Sequence, residues 1–117
     1  MSIGGAISSA VLGLAANARS IEIAADNLAN VSTPGYGPKE VVATTVVTRA
    51  PSAAGYSAGG LRTSVRSKVS FSTPSFEISN VNVGDEFARL IQARAAYRAN
   101  ADVITTASGM LKEPIFA

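Results

Sequence analysis

The sequence contains no cysteine, no histidine and no tryptophan, and its only aromatic residues are four phenylalanines and three tyrosines. These absences exclude disulfides, thiol nucleophiles, Cys/His zinc sites and histidine acid–base catalysis. Only 15% of the residues are charged and the net charge is +2, which is too weak to indicate a nucleic-acid partner. Of the residues that count as hydrophobic, 21 are alanines, so a large self-contained core is difficult to build.

Motifs for catalysis are also missing. The chain has no phosphate-binding Walker loop and no dinucleotide-binding glycine pattern, and the Gly-x-Ser-x-Gly pattern at residues 55–59 has no histidine in the chain to activate its serine. We therefore expect no enzyme activity, no catalytic residues, no cofactor, no metal and no small-molecule substrate.

The segment from Met1 to Ala18 carries no charged side chain, as a secretory signal would. Two features argue against that interpretation: no lysine or arginine precedes the apolar part, and glycines and serines interrupt it. The stretch is also too polar for a membrane span. If the protein acts outside the cytoplasm, we expect it to be exported without a cleaved signal peptide.

The first segment predicts a long helix that begins between Ser2 and Gly5 and ends near Asn30, before Pro34. Its apolar residues alternate at spacings of four and three, the pattern of a helix that packs along a seam against other helices. These positions are Ile7, Val11, Leu14, Ala18, Ile21, Ala25 and Leu28.

The last segment repeats this design after a predicted N-cap at Asn82, and Pro114 is expected to stop the helix. Its seam positions are Val83, Phe87, Leu90, Arg94, Tyr97, Ala101, Ile104, Ser108 and Leu111. Ile91 and Val103 lie beside the seam, so the apolar face is wider than one partner needs. Arg94 and Asn100 are polar among apolar neighbours, and we expect them to set the helical register.

The middle of the chain predicts an extended β-hairpin. The run from Val41 to Thr48 is rich in β-branched residues, and Leu61 to Phe71 alternates apolar and polar residues as a half-buried strand does. Between them, Pro51 to Gly60 is small and flexible in composition, which is typical of a loop.

The predicted fold class is therefore α+β, with long N- and C-terminal α-helices that pack as a coiled coil and a small hairpin between them. We expect residues 1–32 and 81–117 to form one helical domain and residues 33–80 to form the turn and hairpin. Because a two-stranded hairpin and an alanine-rich helix pair bury little, this composition favours a subunit of an assembly.

Two stretches of the sequence then resemble a known family. The run Asn27-Leu28-Ala29-Asn30 followed by Thr33-Pro34-Gly35-Tyr36 is similar to the N-terminal signature of bacterial flagellar rod and hook proteins. The segment from Ser79 to Leu111 resembles the terminal helix of the same family. The family's Tyr is usually followed directly by Lys or Arg, whereas Gly37 and Pro38 intervene here. The short middle segment is most like that of a proximal-type rod subunit.

The resemblance implies a structural subunit of the flagellar axial rod in the periplasmic part of the basal body, exported by the flagellar type III apparatus. It implies helical assembly through the terminal helices with copies of itself and other rod or hook subunits, to form drive shaft and export channel. Contact with peptidoglycan or bushing rings is compatible with it. The subunit interface would then be the seam: Ile7, Val11, Leu14, Ile21, Leu28, Phe87, Leu90, Tyr97, Ile104 and Leu111.

The signature turn permits two interpretations. Asn27 and Asn30 either cap the end of the helix or bond to neighbouring subunits. Thr33, Pro34 and Gly35 predict a tight turn in which Gly35 has positive φ, and Tyr36 is expected to anchor it. In the family, this turn leads the chain from the inner tube to the outer layer.

The hairpin carries a basic stripe of Arg62, Arg66 and Lys68, which we expect to face solvent, with docking to an acidic patch of the next subunit as the alternative. Nucleic acid is disfavoured because no aromatic residue accompanies the stripe. A second hypothesis for the whole chain is an adaptor or binding module of a secretion-type assembly that docks to one partner and does not polymerise.

Overall fold

The computed structural model describes residues 2–46, 60–68 and 79–113. Along the chain the elements are α1 (Ile3–Ala29), β1 (Lys39–Val46), β2 (Gly60–Ser67) and α2 (Val83–Lys112). Two long helices thus flank a two-stranded antiparallel hairpin, and the predicted α+β class is confirmed.

Both helices begin at side-chain caps. The Ser2 Oγ accepts a hydrogen bond from the Gly5 backbone N–H at 3.1 Å, and the Asn82 Oδ1 accepts from the Asp85 N–H at 3.3 Å. Each bond satisfies an N–H that the first helical turn leaves free. Asp85 lies in the first turn of α2 and Lys112 in its last turn. Each charge is opposite in sign to the nearby end of the helix dipole and therefore stabilises the helix. Pro114, the expected stop signal, lies outside the described residues.

The hairpin pairs Lys39 with Ser67 at one end and Val46 with Gly60 at the other. The first strand begins two residues before its predicted start at Val41, and the rest of that prediction, Val47 and Thr48, lies outside the described residues. Val69 and Phe71 of the second predicted strand also lie outside them, as does the predicted loop from Pro51 to residue 59.

Among the described residues of the second strand, the expected half-burial is found at Leu61 and is wrong from Arg62 onward. Every residue from Arg62 to Ser67 is exposed, including Val65 on the predicted apolar face. The first four residues of β1 are partly covered and the last four are exposed. The helix pair therefore covers only part of the ribbon, and alternation alone cannot tell whether anything packs on its apolar face.

The two helices pack against each other in antiparallel directions. Gly13 near the start of α1 meets Asn100 in the second half of α2, and Ile23 and Ala24 near the end of α1 line the same groove as Glu86 at the start of α2. The buried residues of this contact are mostly small. They are Ala10, Ala16, Ile23 and Ala24 on α1, and Ala93 and Ala107 on α2.

This internal contact does not use the predicted seam. On both helices the seam lies on the face next to the buried residues, rotated from them by roughly a third of a turn or less around the helix axis, at about 100° per residue. Val11 and Phe87 are each 50% exposed and Leu111 is 63% exposed. The helix pairing is confirmed, but its contact face is a stripe of alanine, glycine and asparagine beside the seam.

Among the described residues, no helix is long and apolar enough to cross a membrane. The same residues contain no group of three or more carboxylates that could hold a metal ion.

Candidate functional site

The junction between α1 and the hairpin is built around Asn27, whose side chain is completely buried. Its amide makes two bonds to one backbone residue: Nδ2 donates to the Lys39 carbonyl at 2.7 Å, and Oδ1 accepts from the Lys39 N–H at 2.8 Å. Asn27 therefore pairs with the first residue of β1 as a strand neighbour would, and fixes where the hairpin leaves the helix.

A second layer of bonds surrounds this amide. The Tyr36 hydroxyl lies 3.1 Å from both Asp26 Oδ2 and Asn27 Oδ1, where its proton is shared between two acceptors. The Lys39 ammonium lies 2.8 Å from Asp26 Oδ2 and 5.8 Å from the centre of the Tyr36 ring. Two consecutive residues at the end of α1 thus hold both the turn and the start of the strand.

The charges of this cluster shift one another. The hydrogen bond from Lys39, and then that from Tyr36, lower the pKa of Asp26 below its usual value. The same hydrogen bond raises the pKa of Lys39, while burial and then the bond to Asp26 raise that of Tyr36. The cluster is therefore held in its ion-paired form with the phenol neutral.

The turn itself has the predicted geometry. The Tyr36 N–H donates to the Thr33 carbonyl at 3.2 Å, and Gly35 at the third turn position has φ +72°. This is the pattern of a type II turn, with Pro34 preset at the second position and glycine required at the third. The prediction of positive φ at Gly35 is confirmed.

Asn27 and Asn30 have different roles. Asn30 is the C-cap: its side chain donates to the Asp26 carbonyl at 2.8 Å and accepts from the Thr33 hydroxyl at 3.2 Å. Asn27 neither caps the helix nor offers a group to a neighbouring subunit, because its side chain is buried and bonded to Lys39. In the protomer the Asn27 side chain thus pairs with Lys39 instead of capping the helix, a contact between residues 12 positions apart that no local pattern indicates.

Asp26 and Lys39 were missed by sequence reasoning. They are opposite charges 13 positions apart, and only the Pro34–Gly35 turn brings them together. One feature of the sequence points to this contact: the basic residue that usually follows the signature tyrosine directly is found here at Lys39. The two extra residues Gly37 and Pro38 precede Lys39, whose side chain still reaches the end of the helix.

The described helices expose a series of large apolar side chains. Outside the internal contact, Phe87, Ile91, Tyr97, Met110 and Leu111 of α2 are between 41% and 68% exposed. Val11 of α1 and Val83 and Val103 of α2 are also exposed. Other seam residues, Ile7, Leu14, Ile21, Leu28, Leu90 and Ile104, are half-buried at the border of the helix contact. We call the seam residues together with Ile91 the apolar helix face.

The two polar residues predicted to set register lie in different places. Arg94 is exposed on the apolar helix face. Asn100 lies inside the helix contact, where its amide donates to the Ala96 carbonyl at 2.9 Å and packs on Gly13. The structure does not bring them together.

The basic stripe of the hairpin is exposed throughout. Glu40 on the paired strand lies 3.5 Å from the Lys68 ammonium and is the register partner of Arg66. Arg62 pairs with Thr44 and has no carboxylate within 4 Å among the described residues. The stripe is therefore partly neutralised at its Lys68 end and uncompensated at Arg62.

Two protein-family models match the chain, one at each end. Residues 7–36 match the family described as flagella basal body rod protein, and residues 75–115 match the C-terminal region of the flagellar basal body rod FlgEFG proteins. The first match ends at Tyr36 of the junction, and the second contains all of α2. Both ends of the chain, in the expected order, thus have their counterparts in this family.

One curated relative is the flagellar basal-body rod protein FlgG of Buchnera aphidicola subsp. Baizongia pistaciae (strain Bp). It is 51% identical over 37 residues, a stretch that covers 32% of this chain and 14% of that protein. Both matching models describe rod proteins of the flagellar basal body, which are structural proteins. The basal body is therefore where the chain is located in the bacterium. On the evidence of both matched ends, the chain belongs to the flagellar basal-body rod protein family.

Proposed function

We propose that this chain is a subunit of the flagellar axial rod that polymerises helically through its terminal helices, forming part of the drive shaft and of the export channel. The observation that carries the proposal is the apolar helix face. The helices bury alanines against each other and leave Phe87, Ile91 and Leu111 half or more exposed.

Burial energies support this interpretation. A fully buried large apolar side chain contributes about 1.5–3 kcal/mol, whereas an alanine contributes much less. The chain therefore keeps its strongest hydrophobic contacts for partners outside the protomer. Contiguous exposed apolar surface of this kind is characteristic of protein–protein contacts.

The apolar helix face also suggests which residues form the inner tube and which form the outer layer of the rod. Residues 1–32 and 81–117 form the inner tube in this proposal, because they carry the apolar helix face. Residues 33–80 form the outer layer, which the Asn27 junction holds at a defined angle. The short middle segment favours a proximal-type rod subunit.

The partners in this proposal are copies of the chain and other rod or hook subunits. The flagellar type III export apparatus would deliver it without cleavage of a signal peptide, and the hairpin is free to touch peptidoglycan or bushing rings. A structural rather than an enzymatic role agrees with a sequence that lacks histidine and cysteine.

The test is mass spectrometry of purified basal bodies, with copy number measured against a ring protein of known stoichiometry. We expect several copies of the wild-type chain per basal body. Phe87→Asp should remove the chain from basal bodies and abolish motility while the protein is still made. Phe87 is half exposed in the protomer, so the variant should keep its helices, which circular dichroism checks.

Thr106→Asp is the matched control, because Thr106 is an exposed polar residue of the same helix outside the predicted seam. It should be incorporated normally. Wild-type chain absent from intact basal bodies would contradict the rod proposal and favour the adaptor. Normal incorporation of Phe87→Asp would show that the apolar helix face is not the assembly surface.

A further inference from the structure

Glu86 is a carboxylate that the protomer does not satisfy. Its side chain is 5% exposed, and its Oε2 is buried with no hydrogen-bond partner among the described residues. The nearest cation, Arg89 Nη1, lies 3.8 Å from the other oxygen, Oε1, which is too far for a hydrogen bond. A buried carboxylate without such bonds is costly, so a position of this kind calls for an explanation.

Glu86 lines a groove of about 370 Å³ at the place where α1, β1 and α2 meet. Asn17 and Ser20 of α1 and Gln92 of α2 add polar groups to its wall, and Ile23, Ala24 and Ala93 form an apolar floor. The groove could accommodate the end of a long side chain together with part of its aliphatic stem.

The cations of the groove itself are already engaged or badly placed. Lys39 points to Asp26, which lies 2.8 Å from its ammonium, and that pair is part of the junction. Arg89 is 41% exposed and meets Glu86 only at the longer distance. In this arrangement neither of them donates a hydrogen bond to Glu86, which leaves the carboxylate open to a donor from outside this set of residues.

The chain offers a suitable donor on its hairpin. Arg62 is exposed, has no carboxylate within 4 Å among the described residues, and stands among the small residues Thr63 and Ser64 on a two-stranded ribbon. A guanidinium carries several N–H donors and forms short, charge-assisted hydrogen bonds with carboxylates. Arg66, on the same strand face, has Glu40 as its register partner.

We propose that the Glu86 groove of one subunit receives the Arg62 side chain of a second copy of this chain. This inference rests on the proposed polymerisation and names one contact within it. The contact would join the hairpin of one copy to the Glu86 groove of the next, in addition to the contacts of the apolar helix face. It would also explain why a carboxylate is kept buried in the protomer without a partner.

The first test uses the lack of native cysteine, which makes an introduced pair unique. Chains with Arg62→Cys and chains with Gln92→Cys are produced in the same cells, and basal bodies are treated with a short thiol cross-linker. We expect a covalent dimer of the two variants in basal bodies and none in the unassembled pool. Thr106→Cys in place of Arg62→Cys should give no dimer.

The second test is a double-mutant cycle on incorporation into basal bodies. Glu86→Gln and Arg62→Gln should each lower the copy number severalfold, and the double variant should lose no more than either single one. Arg98→Gln, an exposed arginine of α2, is the control and should be neutral.

Glu86→Gln removes a buried charge, so the free chain should melt at an equal or higher temperature. Any loss of incorporation is then due to the contact and not to the fold. Two results would overturn the Arg62 contact and leave the rod proposal intact, provided that the wild-type chain is present in basal bodies. One is that the cysteine variants form no cross-linked dimer there. The other is that the losses caused by Glu86→Gln and Arg62→Gln add up in the double variant. Absence of the wild-type chain from basal bodies would refute the rod proposal itself.

Discussion

Asn27 carries more of the architecture than any other polar side chain in the described chain, because one amide holds both backbone groups of Lys39. Removing it leaves the partly buried N–H and carbonyl of Lys39 without partners. We expect Asn27→Ala to lower the free energy of unfolding by about 2–4 kcal/mol. Chemical denaturation followed by circular dichroism measures this.

Asn30→Ala is the matched control, since Asn30 is half-buried and water can replace its bonds. We expect a loss of about 0.5–1 kcal/mol. Equal losses at the two positions would mean that the Lys39 pairing contributes little to the fold.

Asp26 makes the junction sensitive to acid. Its pKa is lowered in the folded chain, chiefly by the hydrogen bond from Lys39, so its contribution to stability is present above its ordinary value of 3.8. That contribution falls as the pH drops through the lower folded pKa, where the carboxylate becomes protonated. The raised pKa values of Lys39 and Tyr36 set the opposite limit, and their contributions decline above pH 10.

We therefore expect Asp26→Asn to be less stable than the wild type at pH 7, with a difference that shrinks as the pH falls below 3.8. The measurement is the unfolding midpoint of both chains over this pH range. Asp102→Asn, at an exposed position of α2, should be indistinguishable from wild type at neutral pH. A difference between wild type and Asp26→Asn that persists undiminished in acid would exclude the ion pair as its cause.

At the scale of elements, helix bounds and caps follow from local chemistry, whereas the choice of contact face does not. Ser2, Asn82 and Asn30 terminate their helices through bonds to residues within four positions. Periodicity identified the large apolar residues as a seam, but the protomer pairs its helices through the alanine stripe beside it. Small residues allow two backbones to approach closely, and a hydropathy pattern gives them little weight.

The contact between Gly13 and Asn100 shows how close this approach is. A Cβ on Gly13 would lie 2.7 Å from both terminal atoms of the Asn100 amide. Gly13→Ala should therefore destabilise the chain by about 1–2 kcal/mol, although alanine favours a helix. In an Asn100→Ala background the same change should become neutral or stabilising, as a thermal denaturation cycle would show.

Gly109→Ala provides the comparison, since a Cβ there meets no atom within 4 Å. It should stabilise α2 by about 0.5–1 kcal/mol. If Gly13→Ala behaves like Gly109→Ala, Asn100 does not pack closely on Gly13.

At the scale of the whole molecule, the chain is long and thin, with extents of 70 × 35 × 14 Å. A depth of 14 Å leaves no room for a second layer over the helices. Of the seven apolar residues that are buried in the described part of the chain, five are alanines, so this core contributes little stability.

Assembly should therefore supply much of the stability. We expect the unfolding midpoint of the wild-type chain to rise with protein concentration, since association stabilises only the folded state. Differential scanning calorimetry over a hundredfold concentration range tests this. Phe87→Asp should show a concentration-independent midpoint, and a wild-type midpoint that does not move would indicate a self-sufficient monomer.

The sequence by itself determined the features that depend on near neighbours. These are the two long helices, their caps, the hairpin between them, the Pro34–Gly35 turn and the family to which both ends belong. Each follows from residues only a few positions apart, or from motifs that can be read directly from the chain.

Only the tertiary structure decided which distant groups meet. It placed Lys39 on Asn27 and Asp26, chose the alanine stripe for the helix contact, and left Glu86 buried without a hydrogen-bond partner. The physical reason is that hydrogen bonds and close packing depend on distances of a few tenths of an ångström between remote residues. Composition and periodicity do not contain such distances.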